Sequence, residues 1–563
     1  MGIFKGKELT NLQIAELLRK VAAAYQLKNE EKNRFRIIAY NRAGDAIEHA
    51  TSELKDVWDE NKLEEIPGIG PNIARHLDEL FRTGRSKHFE TVMKGVPQKA
   101  FKLMELPGIG LKTALKLLKE LSHNEIEKLL KQVDKKNTER RLLLPYALEI
   151  AGSIIEWLKK EPKVLRVEPL GSLRRMVSTI GDIDIAVASN EPNVVIAHFA
   201  RYPKATKIVE KGESSASILL PGDLQVDIRV VKPDVYGSLL QHLTGSKHHN
   251  IALREYAIKK GFSLSEYGIK NTRTKKLKKL RTEEEFYKYL WLEWIPPELR
   301  EDAGEIEASR DAKLPELVEL ADIKADLQIH SSFNIETSHD LGQSSMEEIV
   351  KKAKDKGYEY FALTEHNPSK SGHSSQEIVE ILKRKREKIE QINYSRTTKV
   401  FNSLEIDIMP DGGLPVSEEG LETLDFALVS IHSSFKGSRD EMTKRILSAL
   451  SHPKVKIFAH PTARKLSERE GIELDWPKIF AFCKKYNKWL EINADPVRLD
   501  LPDFLVREAV KEGIKLTLGT DSHHKDMMDN MIYGVSVARR GWAKKCDIIN
   551  TLCLEEFEKE VSK

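Results

Sequence analysis

From residue 321 onward the chain repeats one pattern: a short aliphatic run that closes on a histidine or carboxylate, then a helical stretch. The runs include "YFALTEH", "KVFNSLEIDI", "FALVSIHSS", "VKIFAHP", "WLEINAD" and "IKLTLGTDSHH". Strands this apolar are buried on both faces, and their alternation with helices makes them parallel. Parallel strands present all their C-terminal ends at one face, so the residues that close them converge there. Those residues are His330, His366, Glu405, His432, His460, Asp521 and His523. A lone histidine is usually structural, but here five of 17 fall at corresponding strand ends, which makes a ligand set the better reading. Imidazole with carboxylate suits Zn²⁺, Mn²⁺ or Fe²⁺, and a cluster of this size implies more than one ion.

A second acidic site lies upstream, in "GDIDIAV" (181–187). Asp182 and Asp184 are two apart in a strand and point to one face. Ile180, Ile183, Ile185, Ala186 and Val187 argue against an exposed edge, and paired carboxylates in an apolar setting call for a divalent cation. Oxygen ligands suit Mg²⁺ or Mn²⁺. Asp227, in "LQVDIRVV", completes a three-carboxylate site and is a candidate base for a primer hydroxyl. Gly171 and Ser172 sit between a strand and a turn, where backbone and hydroxyl donors can meet phosphate, and Arg174 and Arg175 add charge. Three carboxylates around two metals suit phosphoryl transfer.

The N-terminal part reads as short amphipathic helices to about residue 85, with Ile14, Leu17, Leu18 and Val21 along one face. Two related segments stand out, "IPGIGPNIARHLDEL" (66–80) and "LPGIGLKTALKLLKEL" (106–121). Glycines at such a turn (Gly68 and Gly70, then Gly108 and Gly110) let N–H groups at the next helix start face outward toward an anion. The pair resembles the helix-hairpin-helix motif, which grips nucleic-acid phosphates without reading bases. A basic run, "NTRTKKLKKLRT" (271–282), is either a solvated face or a polyanion contact. With 563 residues the chain needs several cores. Three cysteines without a CxxC argue against a disulfide framework and a thiolate zinc site. No apolar run reaches membrane-spanning length and the N-terminus is not signal-like, so the expectation is a cytoplasmic protein with no membrane partner.

Gly171, Ser172, Gly181, Asp182, Asp184 and Asp227 resemble the nucleotidyltransferase superfamily. With both hairpin copies, Arg175 and "HLTGSKHHN" (242–250), residues 1–300 look like a family X DNA polymerase. The resemblance implies a sugar gate at His242 and Leu243, nucleotide contacts at Gly245 and Asn250, and a template-strand contact at Arg254. Residues 321–563 resemble a PHP domain, and the tandem order resembles the bacterial and archaeal form of the family. A multidomain α+β and α/β chain is therefore expected: an N-terminal helical domain (1–85), a fingers-like helical domain (86–150), a palm (151–232), a thumb-like domain (233–300), a linker (301–320) and a TIM-like, distorted β/α barrel (321–563).

The implied function is gap filling in DNA repair by two-metal transfer, with 3′–5′ exonuclease and abasic-site cleavage from the barrel. The implied partners are gapped or primer-template DNA and dNTPs, bound by a monomer. Departures from the family pattern are His242-Leu243 for a Tyr-Phe gate, His76 for the lyase lysine, and Gln328 for the first histidine of His-x-His. Glu365 replaces an aspartate, and Asp340 substitutes for a displaced metal-binding aspartate. Gln328 leaves open an alternative, a polymerase whose barrel is a silent DNA-end scaffold. An RNA nucleotidyltransferase or a small-molecule phosphatase would each leave part of the chain unexplained.

Overall fold

The computed structural model describes residues 11–48, 54–59, 62–66, 69–103, 111–120, 126, 141–222, 224–394 and 398–563. They belong to two compact units, Met1–Arg141 and Leu142–Lys563. The first unit is helical. It opens with one 38-residue helix, Asn11–Glu48, where short helices were expected. No proline interrupts that stretch, and its single glycine, Gly44, is tolerated in a helix. Ile14, Leu18 and Val21 are buried as the periodicity requires, against Ile73, Leu77 and Leu80 of the helix Pro71–Thr83. A second small core gathers Ala100, Phe101 and Ala114, the last from the helix Leu111–Glu120.

The second unit holds a palm sheet, a thumb and a barrel. The palm strands are β1 (Arg166–Pro169), β2 (Ile183–Ala188), β3 (Lys207–Lys211), β4 (Ser215–Leu220) and β5 (Leu224–Val231), in spatial order β1-β2-β5-β4-β3. Only β2 and β5 run parallel. The helix Leu144–Lys159 buries Leu144, Ala147, Ala151, Ile154 and Leu158 in the same core as Ile183, Ile185 and Val226. The unit therefore begins at Leu142 rather than at 151, because this helix covers the sheet.

The thumb helices Lys247–Lys259 and Glu283–Tyr289 share a core with Leu317 of the linker and Trp542 of the barrel, while the helix Tyr236–Thr244 buries Tyr236, Leu239 and Leu240 with Leu170, Ala186 and Ala188 of the palm. Beneath them Glu283 meets Arg300 at 2.6 Å and Arg174 at 2.7 Å, and Arg300 is fully buried. Burial alone would raise the Glu283 carboxyl, but the two guanidiniums outweigh it and hold it at about 2, against 4.5 for a free glutamate. A depressed carboxylate contributes stability above its unfolded value and loses it as pH falls through the folded one, here from 4.5 to about 2. Glu283→Gln leaves Arg300 buried without its counter-charge, so we expect a loss of about 3–5 kcal/mol at pH 7. Denaturation at pH 7 and pH 3 checks this: the gap between variant and wild type shrinks at the lower pH. An unchanged gap would contradict the pairing.

The barrel strands are β6 (Ala325–Ile329), β7 (Tyr360–Leu363), β8 (Lys399–Asn402), β9 (Glu405–Asp407), β10 (Ala427–Ser430), β11 (Val455–Phe458), β12 (Trp489–Asn493) and β13 (Leu516–Gly519), each parallel to its neighbour. β8 and β9 are two halves of one strand broken at Ser403–Leu404; the first half pairs with β7 and the second with β10. Bridges between His366 and Glu405 and between Ile329 and Ser522 join the two sheets. The result is a barrel of seven strand positions.

Candidate active sites

In the palm, the parallel register of β2 and β5 sets Asp184 directly beside Asp227, and Asp182 lies two residues before Asp184. Burial, then the charges of Asp182 and Asp227, push the Asp184 carboxyl up to about 7. Arg229 offsets only part of this, and the like-charge crowding that remains is the condition a divalent cation relieves. Asp227 is oriented by Gln225, whose amide donates to both carboxylate oxygens at 3.2 and 3.0 Å, and by the Ser217 hydroxyl. Neither partner was legible in the sequence.

Gly171 has φ +57°, a conformation glycine adopts without strain, and its α-carbon lies against the Asp184 carboxylate. It opens the short helix Gly171–Arg174, which carries Ser172. Gly181 is exposed just before Asp182. The two arginines that follow have different fates. Arg174 donates to Thr244 Oγ1 and to Glu283, both at 2.7 Å, and is built into the buried network rather than offered to a ligand. Arg175 donates from Nε to Glu301 at 2.9 Å and from Nη1 to the Thr244 carbonyl at 2.5 Å, beside Gly245. His242 lies on the same helix as Thr244, with Nε2 4.0 Å from the buried Glu266. Asn250 ties the next helix back, donating to the His242 carbonyl at 2.7 Å and accepting from Gln241 at 2.9 Å. Arg254 is half-buried one turn further along that helix.

In the barrel Glu405 is the centre. It is buried, and His460 Nε2 lies at 2.8 Å, His330 Nε2 at 3.3 Å, His432 Nε2 at 3.4 Å and His366 Nδ1 at 3.6 Å. His330 also faces Asp521 at 3.1 Å. Burial pulls the His330 imidazole down, yet hydrogen bonds to Asp521 and Glu405 carry it up to about 10, so the carboxylates draw a positive charge into this spot. Four groups of three side chains have ligand atoms within 4.8 Å of one another: His330-His366-His523, His339-His366-His432, Glu405-His432-His460 and His330-Glu405-Asp521. Among the described residues the buried ring nitrogens His330 Nδ1, His366 Nδ1, His460 Nδ1 and His523 Nε2 have no hydrogen-bond partner, and this donor set fits divalent cations.

His339 was not anticipated. Its Nε2 meets Asp407 at 2.8 Å, and Asp407 also accepts from His432 Nδ1 at 2.7 Å. Asp340 stands at the exposed rim, 3.4 Å from His523 and 3.9 Å from His366, so its neighbour His339 is the member of that loop inside a ligand group. Glu365 turns away from the ligands to Lys385 at 2.5 Å.

Gln328 is fully buried and donates from Nε2 to Glu405 at 2.9 Å, while its Oε1 accepts from Asn493 at 3.2 Å. The amide thus tethers the central carboxylate. Gly519 makes room for this corner: a side chain there would run into Glu491 and Gln328. We expect Gln328→His to exchange this hydrogen bond for a further ligand, raising cleavage at low Mn²⁺ in a metal titration. An unchanged titration curve would contradict that reading.

In the N-terminal unit, Gly70 caps the helix Pro71–Thr83 with ordinary extended dihedrals, and no described residue crowds its α-carbon. Gly68, Gly108 and Gly110 lie outside the described residues. His76 stacks on His88 with ring centres 4.0 Å apart, an aromatic contact within a packed cluster.

Four family descriptions match the chain: helix-hairpin-helix domain over residues 9–86, SAM-like helix-hairpin-helix tandem over 60–123, DNA polymerase beta thumb over 239–301 and PHP domain over 326–495. The chain is 32% identical to the DNA polymerase/3′-5′ exonuclease PolX of Bacillus subtilis, over 97% of this chain and 98% of that one. It is 28% identical to DNA polymerase lambda of Arabidopsis thaliana over 53% of this chain and 63% of the relative. A probable phosphatase of Acetivibrio thermocellus matches 32% of this chain, and 73% of its own length, at 28% identity. Because the alignment with the Bacillus protein spans nearly the whole of both chains, from hairpins to barrel, the chain belongs to the family X DNA polymerases that carry a C-terminal PHP domain.

Proposed function

We propose that the protein extends primers across short gaps in DNA at Asp182, Asp184 and Asp227, and that its barrel removes nucleotides from 3′ ends and cuts at abasic sites. The chain is a DNA polymerase with a 3′–5′ exonuclease module. The observation that carries the polymerase assignment is the pairing of Asp184 with Asp227 across β2 and β5, with Asp182, exposed just ahead of β2, near enough for its charge to act on Asp184. Mg²⁺ or Mn²⁺ held there would neutralise the triphosphate and make the primer hydroxyl more acidic; Mn²⁺, Zn²⁺ or Fe²⁺ in the barrel would supply hydroxide for phosphodiester hydrolysis.

The protein's own groups do the positioning. Asp227, steadied by Gln225 and Ser217, is placed to accept the primer hydroxyl proton. Gly171, Ser172, Arg175, Gly181, His242, Gly245 and Asn250 frame the incoming dNTP. Gly68, Gly70, Gly108, Gly110 and Arg254 meet DNA phosphates in a sequence-independent, salt-sensitive way. In the barrel, His330, His366, Glu405, His432, His460, Asp521 and His523 hold the ions, with Asp340 at the rim. The protein works as a monomer in the cytoplasm; no helix among the described residues is long and apolar enough to cross a membrane.

One observation favours a second reading, a silent barrel that guides DNA ends: Gln328 spends its amide on Glu405. Incubating the protein with gapped, primer-template and abasic duplexes, with and without dNTPs, Mn²⁺ and chelator, decides between them. Metal-dependent extension with dNTPs and shortening without them support the main reading. Extension without any metal-dependent cleavage supports the silent barrel, and no extension rejects the polymerase assignment.

A further inference from the structure

The barrel helix Met531–Arg540 ends on two arginines that reach out of the barrel. Arg539 Nε meets Glu298 at 2.8 Å. Arg540 Nη1 donates to Glu301 Oε1 at 3.0 Å and to the backbone carbonyl of Arg175 at 2.8 Å, while Arg540 Nη2 is anchored on Asp503 of the barrel at 2.6 Å. The Arg540 side chain is 7% exposed. Glu301 Oε1 is the same atom that accepts from Arg175 Nε. One carboxylate oxygen is therefore shared between an arginine of the barrel and the arginine beside the palm acids, and the barrel arginine also fixes that residue's backbone. A planar guanidinium bound at both edges holds such an arrangement, which a single mobile ammonium does not. Glu301 is one-third exposed, so without Arg540 it is free to turn to water and let go of Arg175 Nε, leaving that guanidinium held only at Nη1 by the Thr244 carbonyl.

We infer that Arg540 is a positioning residue for nucleotide binding: through Glu301 and the Arg175 carbonyl, the PHP barrel completes the polymerase's triphosphate pocket. The inference rests on the reading of Arg175 as a nucleotide contact. It makes the barrel a working part of the polymerase, whatever its own chemistry.

The test is steady-state gap filling by the full-length protein with dNTP titration, alongside exonuclease rate on the same preparations. Arg540→Ala is expected to raise the KM for dNTP about tenfold, the scale of one lost charge-assisted contact, with kcat within about twofold. Exonuclease activity stays at the wild-type rate, because Arg540 touches none of the ligand residues. Glu301→Gln should reproduce the KM effect, and Arg540→Lys should recover part of it. If Arg540→Ala does not fold, Arg540→Lys and Glu301→Gln carry the test. A wild-type KM in the folded Arg540 and Glu301 variants overturns the inference, as does a loss of kcat and exonuclease together at unchanged KM. Arg175→Ala separates the two layers: if it leaves KM unmoved, the nucleotide role of Arg175 fails first; if it raises KM while Arg540→Ala does not, only the positioning role fails.

Discussion

Asp227→Ala should abolish nucleotide addition, lowering the extension rate by at least about a thousandfold, while gapped-DNA binding changes little. Asp227 is one of three carboxylates on neighbouring palm positions and lies level with Asp184. Removing it takes away a metal ligand and the candidate base together. Removing it also relieves part of the like-charge crowding that, after burial, raises Asp184, so the fold should not suffer. The proposed contacts with DNA phosphates lie elsewhere, which is why binding is expected to survive. Primer extension with a parallel binding titration reads both quantities. Extension at the wild-type rate would remove Asp227 from the mechanism.

Glu405→Gln should do to the barrel what Asp227→Ala does to the palm. Glu405 faces four imidazoles within 3.6 Å and belongs to two of the four ligand groups. The glutamine keeps the shape and removes the charge, so the ions lose their shared anionic ligand and cleavage should fall by at least about a hundredfold. Extension by the same protein should stay at the wild-type level. His460→Ala, which deletes an adjacent ligand, should give the same split. Cleavage at the wild-type rate in Glu405→Gln would place the nuclease elsewhere in the chain.

Both centres were legible in the sequence because strand geometry makes them so. Two carboxylates spaced by two share a face, and residues at the ends of parallel strands share a rim. The same regularity explains what stayed hidden. His339 comes from an irregular loop with no period to place it, and Asp407, two residues beyond Glu405, is seen in the site only through its bonds to His339 and His432. Asn493 carries no signal in the sequence; only the fold brings it to Gln328, 165 residues away. Arg174 and Arg175 look equivalent as a pair, yet one is committed to Glu283 and the other to Glu301. The helix Leu144–Lys159 looked like part of the helical region because amphipathicity does not say which core a helix covers. The contact of Arg540 with the Arg175 carbonyl spans 365 residues and has no local signature at all.

The central claim is that one chain carries two separate metal-dependent centres acting on the same DNA end. A single primer labelled at its 5′ end and annealed across a short gap tests it, given Mn²⁺ without dNTPs first and dNTPs afterwards. The wild-type protein should shorten the primer and then fill the gap. Asp227→Ala should shorten it and never fill; Glu405→Gln should fill it and never shorten. Loss of both reactions in either folded variant, or of neither, would contradict two independent centres.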